Sequence, residues 1–533
     1  MNFFTSTIIV VLLLFFTACG DSGGSGEKPT IIPPPTSYNL TSLTDDEFNA
    51  LLQENKLIVA DKLLSSMFYG YPLAELQTKI DSGSFISDLQ IQIFNDKTNK
   101  AALEAYIMDP NIFYRFDNLS YPQQAHDIVA RLYAAPNLDK YFFHNWIAYT
   151  LTQTIMFSPA YELDSVGMED IALVYNELVS DLEAGNNIQD MSYKHMISQS
   201  NWRRFRSPED NGREMLEIFA YDFNDSHVPI AGQALQNWSN VRRNSDGFNQ
   251  LVIDETNVNI ETLNLFGTTI TDGESFYRAL VDSDVFTYGV TKRLVTFFFA
   301  DYDEAAINGI TASLVKSGHT TWQGIFKEIL FSKEYLLNSS RVKRGEELFF
   351  SLAKKMEHQH TTLTIRDFCI GSYQNLSLAD MNQASMKYKL GKLSGAPVDT
   401  LSFATYSTTI RENVFYKRSD PAIADYAWNN EGWSDSFIAN TNFTYDSTNQ
   451  KASLESLINY IFRSTVSRKV TPDELLMFEK YMLNVDNTLK HPYMMFDVGA
   501  TDEVRETFKR HIAFMVLDYI SRLDILYMQR EVK

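Results

Sequence analysis

Apolar side chains recur at helical spacing along most of this chain. Thr44-Asp45-Asp46-Glu47 reads as a capping box, in which hydroxyl and carboxylate satisfy the free amides that open a helix. Behind it, Leu51, Leu52, Ile58, Leu63, Leu64 and Phe68 keep the helical period. Gly70-Tyr71-Pro72 turns the chain, and a second helix through Leu76 and Ile80 stops at Gly83. The same spacing predicts helices over about 100–107, 125–157, 167–184, 193–203, 208–223 and 229–239. From Gly247 to Ile270 the texture changes to short alternating runs such as Leu251-Val252-Ile253 and Val258-Asn259-Ile260, which read as strands. Helices resume from Glu274 to His358. A less regular stretch follows at 361–450, and then helices at about 452–466, 472–484 and 502–528, the middle one opened by Thr471-Pro472-Asp473-Glu474. The pattern predicts a mainly α fold, a large multi-helical domain with a small β-rich insertion around 247–270. No fixed-period repeat is present.

Length and charge narrow this picture. At 533 residues the chain exceeds the roughly 250–300 residues at which a single core stops growing. Residues 44–395 are expected to form the helical domain, with 396–533 packed on the same body. The net charge of −21 repels phosphate backbones and disfavours nucleic-acid partners. The two cysteines are Cys19 and Cys369, the latter reading as a small buried residue in Arg366-Asp367-Phe368-Cys369-Ile370.

Residues 1–18 carry no charge, and Phe3 to Phe16 is almost wholly apolar, the length of a signal-peptide core rather than a membrane span. Phe16-Thr17-Ala18-Cys19 resembles the lipobox of bacterial lipoproteins. The resemblance implies cleavage before Cys19 and lipid on its sulfur. Residues 19–43, with Gly20-Asp21-Ser22-Gly23-Gly24-Ser25-Gly26 and Pro33-Pro34-Pro35, then form a tether. Gly20 after the cysteine fits outer-membrane sorting in a Gram-negative bacterium. Gly20 to Gly24 also matches the G-x-S-x-G pattern, but no strand precedes it and no helix follows, so Ser22 belongs to the tether.

Several blocks resemble the domain of unknown function 1800 family. They are Ala60 to Gly70 with Gly83-Ser84-Phe85-Ile86, then Tyr141-Phe142-Phe143-His144-Asn145-Trp146, then Ser207-Pro208-Glu209-Asp210-Asn211-Gly212-Arg213-Glu214-Met215-Leu216-Glu217. Ala231 to Trp238, Gly267 to Leu294, Ile325 to Tyr335 and Arg341 to Arg344 continue the order, so the likeness runs in blocks over about 45–395. It implies an extracytoplasmic helical protein of unknown biochemistry. It also implies a secreted partner resembling sulfatases or phosphatases, beside which relatives are encoded.

Candidate chemistry centres on the 208–223 helix. Ser207 caps it, Pro208 starts it, and Glu209 and Asp210 meet the positive end of its dipole. Gly212, Met215, Leu216, Phe219, Ala220 and Phe223 form an apolar arc; Arg213, Glu214, Glu217 and Tyr221 lie opposite, with Arg213 and Glu217 spaced to pair. Glu214 and Glu217 are candidate catalytic carboxylates with His144 as a third group, to be weighed against a structural ion-pair face and a core histidine. Trp202-Arg203-Arg204, with Arg213, is a candidate anion- or glycan-binding cluster, to be weighed against charges that offset nearby acids. No H-E-x-x-H, C-x-x-C, P-loop or dinucleotide fingerprint occurs, so metal and cofactor remain unknown. The expected function is a lipid-anchored binding or scaffold component of the cell envelope; the alternative is a hydrolase built on Glu214, Glu217 and His144.

Overall fold

Local signals read from the sequence close as expected. In a computed structural model of the chain, Thr44 accepts from the Glu47 amide at 3.3 Å while Glu47 accepts from the Thr44 amide at 3.1 Å. Thr471 and Glu474 repeat the exchange, and Ser207 caps its helix at the Asp210 amide. The structure describes residues 38–95, 100–101, 132, 137–156, 168–242, 249–357, 437, 443, 445–490 and 501–532. The leader, Cys19, residues 20–37 of the tether, Cys369 and most of the 361–450 stretch lie outside the described residues. Residues 38–43, read above as the end of the tether, instead pack on the body: Leu40 and Leu43 are buried, and Ser42 bridges to Ser332.

The architecture is mainly α, with three small two-stranded antiparallel sheets among the described residues. The first predicted helix is two: Asp45–Asn49, a break at Leu51–Leu52, then Gln53–Ser66. Predicted 193–203 is likewise divided into Ile188–Met196 and Gln199–Trp202. The long 274–358 stretch becomes Gly273–Val281, Asp284–Phe298, Glu304–Lys316, Trp322–Phe331 and Gly345–Lys355, with a π-helical turn at Glu334–Asn338. The β insertion begins earlier than predicted. Trp238–Arg242 pairs with Asn249–Ile253, and Leu263–Leu265 pairs with Thr268–Ile270. The third pair, Arg341–Val342 with Met528–Gln529, joins the C-terminal end to the 341–355 region, and both belong to the unit that begins at Tyr38.

Aromatic side chains fill the core between the helices. Trp146 stacks on Phe143 at 5.5 Å and meets Phe326 edge-on at 5.3 Å; Phe298 meets Tyr335 edge-on at 5.7 Å. Small residues set the closest approaches. A Cβ on Gly212 would lie 2.3 Å from the Ala231 Cβ, and one on Gly289 would lie 2.4 Å from the Phe219 carbonyl oxygen. Neither position accepts a larger side chain without moving a neighbouring helix.

Charged groups also enter this core. Arg341 holds Glu347 in a two-pronged pair, with Nη1 to Oε2 at 2.6 Å and Nη2 to Oε1 at 2.7 Å. Arg344 adds its amide at 2.8 Å and its guanidinium, then donates to the Phe297 carbonyl at 2.6 Å. Arg341 also donates to the Tyr335 hydroxyl at 3.0 Å, which lies 2.6 Å from Ser66 Oγ. Gln529 donates to Ser65 Oγ at 3.0 Å. Lys62, 1 % exposed, directs its Nζ to the Ser339 carbonyl (2.5 Å), Ser339 Oγ (2.9 Å) and the Arg530 carbonyl (3.3 Å), and burial, with Arg341 nearby, pushes its pKa well below the usual lysine range. Asp61 pairs with Lys343 at 3.3 Å and with Lys355. Buried ions are tolerated only when partnered in this way.

Burial alone would raise the Glu347 pKa. Arg341 and Arg344 outweigh it and hold the carboxyl at about 2. Glu347→Gln leaves two buried guanidinium groups without their carboxylate, and is expected to cost about 3–5 kcal/mol in urea unfolding at pH 7. An unchanged midpoint would show that the pair contributes nothing to the fold.

Candidate functional site at the end of a π-helix

The site grows from the Pro208–Met215 helix. Past Met215 the backbone widens into a π-helical turn, Leu216–Ala220, instead of continuing as α-helix to 223. Arg293, from the Asp284–Phe298 helix, reaches across and donates to the Glu217 carbonyl at 2.7 Å and the Ile218 carbonyl at 3.3 Å. Gly289 brings that helix against the same turn. A side chain that takes helix carbonyls from outside is a known cause of such widening. The turn ends on Tyr221, whose φ of 54° is left-handed, a conformation usually left to glycine. The Asp222 amide closes it on the Leu216 carbonyl at 3.1 Å.

This geometry changes the predicted face. Phe223, expected on the buried arc, is 60 % exposed, because the chain leaves the helix before reaching it. Arg213 pairs with Asp210 Oδ1 at 2.8 Å rather than with Glu217. Lys292 lies over the Tyr221 ring at 4.2 Å and Arg293 at 5.0 Å, while Phe223 meets that ring edge-on at 5.2 Å. Lys292 also pairs with Glu304 at 2.5 Å. Burial pushes the Glu217 carboxyl above its usual range, and Asp225 adds to that, against Arg213 and Arg293.

Beyond Tyr221 the chain folds back. Asp222 Oδ1 accepts from the Asn224 amide at 3.0 Å, and Asp222 Oδ2 lies 2.5 Å from His227 Nδ1. The His227 ring stands edge-on to Phe266, 5.1 Å between centroids at 81°. Phe266 (φ 51°) and Gly267 (φ 85°) form the two-residue turn between Leu263–Leu265 and Thr268–Ile270.

The predicted catalytic group is not assembled. His144 is buried on the Lys140–Thr152 helix, with Gln323 Nε2 at 3.5 Å from its Nε2. Its electrostatic neighbours are Lys140 and Asp139, whereas those of Glu217 are Arg213, Arg293 and Asp225. Among the described residues no three His, Cys, Asp or Glu side chains are grouped to hold a metal ion, so Glu214, Glu217 and His144 do not form one. The predicted binding cluster also changes. Trp202 is 1 % exposed, its ring tilted against Trp238 at 5.3 Å between centroids, and Arg203 is buried with it. Arg204 lies against the Phe205 ring and donates to Asn201 Oδ1 at 3.1 Å. Core packing of the tryptophan carries its neighbours inward, so this triplet is not an open surface motif. No described helix is long and apolar enough to cross a membrane. No family model, curated protein or solved structure matches the chain.

Sequence reading missed Arg293, which lies about 75 residues along the chain from the carbonyls it engages, and the Asp222–His227 pair. The only signal for the pair was an acid five positions before a histidine at a helix end, a spacing too common to single out.

His144 reads as a core residue. Burial, reinforced by Lys140, lowers its pKa to about 4, and burial with Arg204 lowers His195 to about 3. Above about pH 6.5 both states are neutral and neither histidine affects stability. As pH falls below that, the unfolded chain takes up protons that the folded chain refuses, so stability declines until the folded values are reached. Between pH 7.5 and 4.5 His144 is expected to contribute roughly 2–3 kcal/mol of this decline. His144→Gln should show a correspondingly flatter loss in urea titrations at those two pH values; an identical loss would mean that His144 titrates normally.

Proposed function

We propose that this chain is a lipid-anchored, extracytoplasmic protein that binds another component of the cell envelope through the face of its β insertion. The observation that carries the binding reading is where the exposed apolar side chains lie. Val241, Val252, Ile253, Val258 and Ile260 are all exposed large hydrophobics, Ile260 at 97 %. The ladder pairs Ser239 with Val252 and Val241 with Gln250, which puts both valines on one face of the hairpin, away from buried Trp238; Ile253, paired with Trp238, is on the opposite face and is not part of this surface. Grouped exposed apolar residues mark contact surfaces. The anchoring part of the reading rests on the lipobox-like Phe16-Thr17-Ala18-Cys19 and the tether after it. The family resemblance supports a secreted protein as the partner, of the kind that resembles sulfatases or phosphatases.

Purification of the full chain from its own membranes in mild detergent tests both parts. A stoichiometric partner is expected, together with lipid labelling that Cys19→Ser abolishes. Val252→Ser with Ile260→Ser should release the partner while shifting stability by less than about 0.5 kcal/mol each, as surface changes do. A chain that purifies alone, or a partner retained by the double variant, contradicts the binding reading. Labelling that survives Cys19→Ser contradicts the anchor.

A further inference from the structure

The Asp222–His227 pair has the geometry of a base held ready. Asp222 is itself fixed, with one oxygen on the Asn224 amide and the other 2.5 Å from His227 Nδ1. A carboxylate on Nδ1 favours the tautomer with its proton there and leaves the Nε2 lone pair free. His227 Nε2 has no hydrogen-bond partner among the described residues, and the ring is partly open, at 24 %.

Two backbone features around this pair place costly conformations on bulky residues: one at the cap of the π-helical turn and one in the hairpin turn. Tyr221, immediately before Asp222, and Phe266, which packs on the His227 ring, both hold left-handed φ values. Bulky side chains avoid that region. Phe266 occupies the first position of a two-residue hairpin turn, where Asn, Asp or Gly is strongly preferred. Strain of this kind gathers at functional sites because the surroundings must maintain it. The π-helical turn directly upstream is a third feature enriched at such sites.

The charges nearby select the substrate. Asp222, Asp225 and Glu217 are acidic. Arg213 pairs with Asp210 and Lys292 with Glu304, while Arg293, bonded to neutral carbonyls, offsets Glu217, so Asp222 and Asp225 leave an excess of negative charge. A phosphate or sulfate ester would therefore meet uncompensated negative charge. An uncharged carboxylic ester would not, and the Phe266 ring packed edge-on to His227 supplies an apolar neighbour.

We propose that His227, oriented by Asp222 and Phe266, is a general base that hydrolyses uncharged carboxylic esters at this face. His227 Nε2 takes a proton from water as the water oxygen bonds to the ester carbonyl carbon. The carbon–oxygen bond to the alcohol then breaks, and the imidazolium returns the proton to the departing oxygen. Ester and water become acid and alcohol, and the enzyme is unchanged.

The test uses the full chain with p-nitrophenyl acetate, following nitrophenolate release. The wild type should turn over well above free imidazole, and His227→Gln should lose at least about 100-fold, the usual scale for a general base. His319→Gln, which removes the histidine of the separate His319–Glu328 pair, should keep the wild-type rate. Phe266→Asn separates strain from chemistry. It gives the turn a favoured residue, so the melting temperature should hold or rise while the rate falls; Phe266→Tyr should restore the rate. No turnover by the wild type, an undiminished rate in His227→Gln, or full activity in Phe266→Asn overturns the assignment. If His227→Gln does not fold, the Phe266 variants decide it.

Discussion

The carboxylate of Glu347, fully buried between Arg341 and Arg344, is the constraint around which the described structure is arranged. A charge taken out of water must be surrounded by partners fixed in place, and those partners come from distant parts of the sequence. Arg341 passes the requirement to Tyr335 and Ser66, Arg344 passes it to the carbonyl of Phe297, and Gln529 completes the set at Ser65. Beside it, Asp61 requires Lys343 and Lys355, and Lys62 requires Ser339 and the carbonyl of Arg530. Directional bonds to ionised groups add to the apolar packing in fixing one register for these segments.

The candidate site depends on the same helices without sharing the network's purpose. The Asp284–Phe298 helix delivers the Phe297 carbonyl to Arg344, and from its Gly289 and Arg293 positions it reshapes the Leu216–Ala220 turn. Packing by this helix thus supports the left-handed backbone at Tyr221. The buried network is sealed against substrate, whereas His227, Phe223 and the outward face of the β hairpin are open. The proposed chemistry and the proposed contact therefore both fall in the part of the chain that follows the π-turn, about residues 221–270.

Much of the fold could be read from the sequence because caps and periodicity act locally. Thr44–Glu47, Ser207–Asp210 and Thr471–Glu474 close as expected, and the β insertion sits close to where alternation appears. The failures share one cause, which is that distant residues decided them. The 208–223 helix ends early because Arg293 takes its carbonyls, so Phe223 faces water and Arg213 turns to Asp210. Trp202 and Arg203 looked like a basic surface motif until Trp238 drew the tryptophan inward. His144 had the right chemistry for a site, but its helix packs it into the aromatic core. His227 was ordinary in the sequence; what distinguishes it is Phe266, set against it by a turn some forty residues away.

Native-state hydrogen exchange on the full chain tests most directly whether the buried charges bind both ends of the domain into one cooperative unit. The account predicts that amides in Gln53–Ser66, in Gly345–Lys355 and at Met528–Gln529 open with a common free energy equal to that of global unfolding. Exchange at Met528–Gln529 orders of magnitude faster than in Gln53–Ser66 would contradict it, showing that the C-terminal strand opens alone and that the network does not hold the two ends together.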